Sequence, residues 1–422
     1  MNKKICKELI SIAFPAMGEN LLQMLMGMVD SYLVASLGIV ALSGVSIANN
    51  LLAVYQAVFI ALAAAVSSQL AHVLGKEEGM QITAIVTDSV KLTVYVGVFL
   101  GILAVILGPT LLTSLGAERE VAQLGGLYLI LVGGSILLLG LMTCLGGILR
   151  TLGQPRYPMY ISLFSNLLNA VFSAIAVFVL HTGVAGVAFG TILSRIVGCG
   201  LLWSRLSISI KPSTWSVDKE LVRLALPAIG ERLMMRAGDV VIVGMITGLG
   251  TAVVAGNAIG ETITQFNYMP TLGISVATLI MTAKSRQDSL AVQRIYRIGL
   301  GLSLIFMFVI GGISYLAGPL LISLFTMDVQ VAQASQTVLL YSVLGVPFTA
   351  ATLVFTGLWQ GMGNARLPFY ATGIGMWVVR IGLAYFLIKN FQLGLPSIWL
   401  ATIADNAFRA SLLYVRFRYS RG

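Results

Sequence analysis

Two carboxylates, Glu19 and Asp30, interrupt an otherwise apolar stretch that runs from Leu9 to Ala35. On a helix they lie three turns apart and face nearly the same way, with Gln23 between them on that face. An acid at the centre of a membrane-spanning helix costs roughly 2.5–3.5 kcal/mol on insertion scales, which makes it a candidate functional group by default. Removing a carboxyl from water penalises its ionised form. Asp30 is therefore a candidate to take up a proton, or to coordinate Na+ with oxygens of Asn169, Asn166, Ser173 or Thr191. The alternative is a hydrogen-bonded structural acid. Glu19, nearer the cytoplasmic end, is the weaker candidate: it could serve the same site or pair structurally with Arg195 or a neighbouring amide.

The second half of the chain is charged differently. Glu231, Arg232, Arg236, Asp239, Glu261, Arg380, Asp405 and Arg409 place four acids and four bases inside apolar segments. Arg236 and Asp239 stand at (i, i+3) and Asp405 and Arg409 at (i, i+4), so each pair can meet on one helix face. Balanced charge of this kind points to structural pairing that lowers the burial cost. Glu231 and Glu261 remain candidate attractors for a cationic ligand. Methionines are frequent in the first span (Met17, Met24, Met26, Met28), and soft thioether surfaces suit promiscuous apolar contact. Candidate ligand contacts are Glu19, Gln23, Met26, Tyr128, Glu231, Glu261 and Arg380.

No enzyme chemistry emerges. Gly75-Lys76 lacks the upstream glycine spacing of a phosphate-binding loop, and no Ser/His/Asp set or metal-ligand cluster is visible. Cys6, Cys144 and Cys199 have no paired spacing, and His72 and His181 are isolated. Catalytic residues, cofactors and hydrolysis of ATP by this chain are not expected.

The elements that must hold these residues are membrane helices. The chain is 58% hydrophobic and 10% charged, against about 25% charged in a typical soluble domain. Twelve apolar segments recur, near 9–35, 41–74, 82–107, 121–149, 157–180, 184–207, 221–247, 252–283, 292–316, 331–360, 367–389 and 395–416. Each is long enough to cross a roughly 30 Å hydrocarbon core, and none alternates as a barrel strand would. The N-terminus is basic, but its apolar run is too long for a signal peptide and reads as a retained first helix. Lys3, Lys4, Lys7, Lys76, Arg150, Arg156, Arg205, Lys211, Lys219, Lys284, Arg286, Arg366, Arg416, Arg418 and Arg421 fall at the termini or in alternate loops. The opposite loops offer only Arg119 and Lys389. Both termini and the mid-chain linker are then cytoplasmic, in the inner or plasma membrane. The net charge of +10 is read as this topology signal, with lipid contact secondary and no nucleic-acid partner.

The halves repeat. Leu-Ile-Ser-Ile-Ala-Phe-Pro15-Ala-Met-Gly-Glu19 is echoed by Leu-Val-Arg-Leu-Ala-Leu-Pro227-Ala-Ile-Gly-Glu231, and Gly147 to Pro158 by Gly357 to Pro368. The offset stays near 210 residues over six helices, an even number, so the repeats are parallel. The expected domains are an N-lobe at 1–207, a linker at 208–220 and a C-lobe at 221–422, with Pro15 and Pro227 as possible kinks. Such lobes suit alternating access.

These segments resemble the multidrug and toxic compound extrusion (MATE) family. The resemblance rests on Val29-Asp30-Ser-Tyr-Leu-Val-Ala-Ser-Leu-Gly38, Gly146-Gly-Ile-Leu-Arg-Thr-Leu-Gly-Gln-Pro155, Ser165-Asn-Leu-Leu-Asn169 and Trp377-Val-Val-Arg380. It covers essentially the whole chain. It implies a V-shaped, all-α, twelve-helix antiporter that expels cationic or amphiphilic compounds in exchange for H+ or Na+. It also implies that Asp30 couples to the cation, with Asn169 and Thr191 in a polar network of the N-lobe and a possible Na+ site at Asp30 and Asn169. One departure stands out: the family branch carries an aspartate where this chain has Ser173, which removes one carboxylate from the network. A flippase for lipid-linked precursors, of the same superfamily, is the alternative. The expected partners are small amphiphiles and membrane lipids, with the protein taken as a monomer.

Overall fold

The computed structural model describes residues 2–76, 79–114, 118–206 and 216–419. Most of the expected linker, residues 208–215, lies outside the described residues. All the described regular structure is helical. The twelve spans are α1 (Asn2–Ala35), α2 (Ile39–Gly75), α3 (Gly79–Ser114), α4 (Arg119–Gly133 and Ile136–Thr151), α5 (Arg156–Val179) and α6 (Gly183–Ser204), followed by α7 (Lys219–Thr247), α8 (Thr251–Lys284), α9 (Ser289–Leu316), α10 (Val329–Leu344 and Val346–Gly361), α11 (Arg366–Phe391) and α12 (Leu395–Tyr419). A six-residue helix, Gly318–Ser323, follows α9.

Among the described residues, seven of these helices are long and apolar enough to cross a membrane, or nine if each bent pair counts as one span. The other three, α7, α8 and α12, are of similar length but carry Glu231, Arg232, Arg236 and Asp239, Glu261, and Asp405 and Arg409. Large apolar side chains such as Phe99, Ile106, Val179, Val240 and Ile313 are exposed on the helix surfaces, as the hydrocarbon solvent requires, because lipid does not penalise them.

The internal repeat is written in the backbone. Gly38 and Gly250 take φ of 110° and 112°, Gly153 and Gly363 take 86° and 80°, and Gly183 and Gly394 both take 64°. Even the two non-glycine residues with positive φ among the described residues, His181 at 50° and Gln392 at 51°, occupy matched turns. Each turn reverses the chain between adjacent spans, a geometry that a Cβ resists. The bends repeat too. The arms of α4 meet at 45° and those of α10 at 58°, where Gly134-Ser135 and Gly345 with Pro347 interrupt the hydrogen-bond ladder. π-helical segments also interrupt α4 (Leu129–Gly133), α5 (Ile175–Val179) and α11 (Gly375–Arg380), at positions that the repeat does not match.

Packing divides the chain into two compact units, Gly18–Ala225 and Met1–Met17 with Leu226–Gly422. Both α1 and α7 run on through their internal prolines, Pro15 and Pro227, and each changes unit within three residues of its proline. In the unit holding most of the second half, Leu9, Ile12 and Ala13 are buried, with Ala13 so close to Gly273 that a Cβ there would meet its carbonyl at 2.6 Å. In the other unit, the residue preceding α7 is anchored through Asp218, whose carboxylate accepts from Gln69 and whose N–H donates to Asp88 at 3.0 Å.

Candidate functional site

In the unit Gly18–Ala225, Asp30 is partly buried near the end of α1 and meets α5. The Asn169 amide nitrogen stands 3.2 Å from each of its carboxylate oxygens and donates to them. The amide oxygen of Asn169 in turn accepts from Ser173 at 3.1 Å and from Thr191 of α6 at 3.3 Å. Asn169 and Ser173 are four residues apart, so one face of α5 supplies both, just before its π-helical segment. Asn169, Ser173 and Thr191 are all buried. Tyr128 is buried beside Thr191, Asp30 and Arg195. The cluster thus holds one carboxylate, one amide, three hydroxyls and a neighbouring guanidinium: hard oxygens fit for a proton or a small monovalent cation. Ser173 contributes a hydroxyl where the resemblance places a second carboxylate.

Two sequence-based expectations are corrected here. Glu19 pairs with Arg150, not Arg195; Arg150 belongs to the last turn of α4 and is largely buried rather than lying free in a loop. Arg195 neighbours Asp30 instead. Asn166 lies a turn before the cluster on α5, and its buried amide nitrogen has no hydrogen-bond partner. Gln23 is exposed and accepts from Gln56 at 3.3 Å, while Met26 lies in the apolar core.

The second unit holds a longer polar chain. Asp405, fully buried on α12, contacts Arg380 of α11 at 2.8 Å and Arg409 at 2.9 and 3.0 Å. Arg380 also lies 3.8 Å from Asp239 of α7, which stands 3.9 Å from Arg236. Arg409 reaches Asn406 at 3.0 Å and Thr372 at 3.5 Å. Thr372 donates to Glu231 at 3.2 Å, and Gln360 donates to the same carboxylate at 3.3 Å. Gly375, at the start of the π-helical segment, makes room for this: a Cβ there would stand 2.2 Å from the Asp405 carboxylate. The spacing-based pairs Arg236–Asp239 and Asp405–Arg409 are both present. Glu231 is tied down by neutral donors, whereas Glu261 is exposed and takes part in none of the described ion pairs. Glu19 and Glu231 occupy matched repeat positions, as do their partners Arg150 and Gln360. Sequence spacing missed these partners because each lies on a different helix, more than a hundred residues away.

Twelve spans in two copies of one six-helix plan, each enclosing polar groups among apolar helices, define a multi-pass membrane transporter. The chain belongs to the MatE family: the family model matches residues 15–175 and again 227–386, once in each repeat. It is 31% identical to a probable multidrug resistance protein NorM of Thermotoga maritima over 98% of this chain and 92% of that protein. It is 22% identical to the uncharacterised transporter YisQ of Bacillus subtilis over 97% and 93%. A crystal structure of MATE in the bent conformation superposes with a TM-score of 0.91 at 20% identity, covering 100% of this chain and 97% of that one. An outward-facing multidrug resistance MATE transporter of the MOP superfamily gives 0.91 at 21%. The last two establish the shared fold.

Proposed function

We propose that this protein is a secondary active exporter that expels amphiphilic, cation-bearing compounds in exchange for H+ or Na+. The observation that carries the proposal is Asp30, a partly buried carboxylate inside a membrane span, held by Asn169 and backed by Ser173 and Thr191. A carboxylate in a low-dielectric site interacts with a cation far more strongly than one in water. One acid cannot neutralise two cations at once, so a proton or Na+ arriving at Asp30 excludes the cationic group of the cargo. That exclusion is the requirement for exchange. Asn169 orients the acid, and the hydroxyls supply further oxygens. The naming of the Thermotoga relative as a multidrug resistance protein supports the same reading.

No cofactor is needed beyond the driving ion. The charge asymmetry of the loops supports cytoplasmic termini and residence in the cell membrane, with the protein working as a monomer among lipids and without nucleic acid. The test is reconstitution in liposomes with imposed H+ and Na+ gradients, following a fluorescent cationic dye. Dye movement is expected to follow one of the two gradients, and Asp30→Asn to abolish that dependence. Wild-type ion dependence in the variant refutes the coupling role.

A further inference from the structure

A groove between α5 and α6 has no part in the exchange just described. Its volume is about 560 Å3, within the range of about 300–1,000 Å3 typical of small-ligand sites. Phe172 of α5, Leu180 just past its end, and Phe189 and Leu193 of α6 wall it, over a floor that includes Ala185, Gly186 and Gly190. Leu180, Phe189 and Leu193 are exposed, and no Asp, Glu, Lys or Arg occurs between Val171 and Ser194. An uncharged apolar surface of this kind on a membrane span faces hydrocarbon. Thr182, the polar residue of the lining, donates its hydroxyl to the Ala176 carbonyl at 3.0 Å. Water in the groove would lack the roughly two to four polar partners it needs, and an empty groove forfeits the dispersion contacts of its walls. The groove runs from the α5–α6 turn at Leu180–Thr182 to Leu193. At about 1.5 Å per residue that length of α6 covers about 15 Å, half of a roughly 30 Å hydrocarbon core. It is one leaflet deep and starts at the end of the spans, where lipid headgroups lie.

We infer that this groove holds one acyl chain of a phospholipid as a resident ligand, with the headgroup at the α5–α6 turn. Leaving water does not distinguish this chain from its neighbours, because all of them already lie in hydrocarbon. Packing does: the walls and floor surround the chain on several sides, where a smooth helix face touches it on one. The turn belongs to the loops poor in Lys and Arg, so the lipid comes from the leaflet opposite the basic loops. The chain packs on the seam that also carries the Asp30 cluster. A Cβ on Gly190 would stand 2.9 Å from the Ser173 hydroxyl, and the next residue, Thr191, donates to Asn169. The inference needs only a membrane location and stands apart from the identity of the exchanged ion.

The test places the full-length protein in phosphatidylcholine vesicles doped with a phosphatidylcholine that carries a mid-chain diazirine, and maps photo-adducts by mass spectrometry. Adducts per residue over 172–193 are expected to exceed those on the exposed α9 face of Ile305, Val309 and Ile313 by about fivefold or more, the scale of roughly ten added carbon contacts. Ala185→Phe, which fills the floor, is expected to bring the two faces level, and Ala185→Ser, which leaves it open, to keep the excess. Equal labelling of the two faces in the wild type, or an excess that Ala185→Phe leaves in place, overturns the inference and leaves ordinary annular lipid. If Ala185→Phe does not insert stably, the wild-type ratio decides alone. Loss of the adducts on adding excess fluorescent cationic dye also overturns it, since the groove then belongs to the tail of a transported compound.

Discussion

Asp405→Asn asks whether the charged chain of the second unit is a structural clasp. The carboxylate is fully buried and touches Arg380 at 2.8 Å and Arg409 at 2.9 and 3.0 Å. Asparagine keeps the shape and one acceptor but removes the charge. Two guanidinium groups then share a helix interior with Asp239 only at 3.8 Å from Arg380, and with Glu231 reached from Arg409 through Thr372. Removing one partner of a buried ion pair destabilises by about 3–5 kcal/mol, and with two orphaned cations the expected loss is in the upper half of that range. The assay is reversible unfolding in mixed micelles, followed by tryptophan fluorescence from the chain's five tryptophans. Adding Arg380→Gln removes one orphan, so the double variant is expected to be more stable than the sum of the two singles by about 1–3 kcal/mol. A loss below about 1 kcal/mol for Asp405→Asn, or strict additivity in the double variant, refutes the clasp.

Asn169→Ala strips both donors from Asp30 and the shared acceptor from Ser173 and Thr191. The ion concentration for half-maximal dye movement is expected to shift about tenfold, whereas Ser173→Ala, which deletes one neutral hydrogen bond, shifts it by no more than about fivefold. Glu19→Gln leaves Arg150 largely buried without its counter-ion and is expected to lower stability by about 1–3 kcal/mol. Arg150→Gln rebuilds the Gln360–Glu231 arrangement of the other repeat and is expected to lose less; thermal melts of the two variants compare them directly. Gly38→Ala and Gly250→Ala, at matched φ of 110° and 112°, are each expected to cost about 1–3 kcal/mol, with effects alike in size. Unfolding of the two single variants measures this.

Much of the architecture is legible without coordinates because the bilayer is a demanding solvent. A span needs about 20 apolar residues whatever it packs against, so length and hydropathy alone place α2, α3 and α9. The helices hardest to place by composition, α7, α8 and α12, carry charges along their length; Asp405 of α12 and Asp239 of α7 are paired across helices, whereas Glu261 of α8 is exposed. Local spacing likewise predicts Asp405–Arg409 and Arg236–Asp239, because both partners ride on one helix.

The chain's order of residues by itself determined twelve helical spans, a twofold repeat and an acid in the first span worth attention. Periodicity, apolar length and self-similarity are properties of a linear string. Only the tertiary structure decided which charge answers which: that Glu19 goes to Arg150, that Arg195 neighbours Asp30, and that Glu231 is held by neutral groups. Those partners are 129 to 141 residues apart for Glu19–Arg150, Asp30–Asn169, Glu231–Gln360 and Glu231–Thr372. Helix rotation and crossing choose between them, and packing sets both.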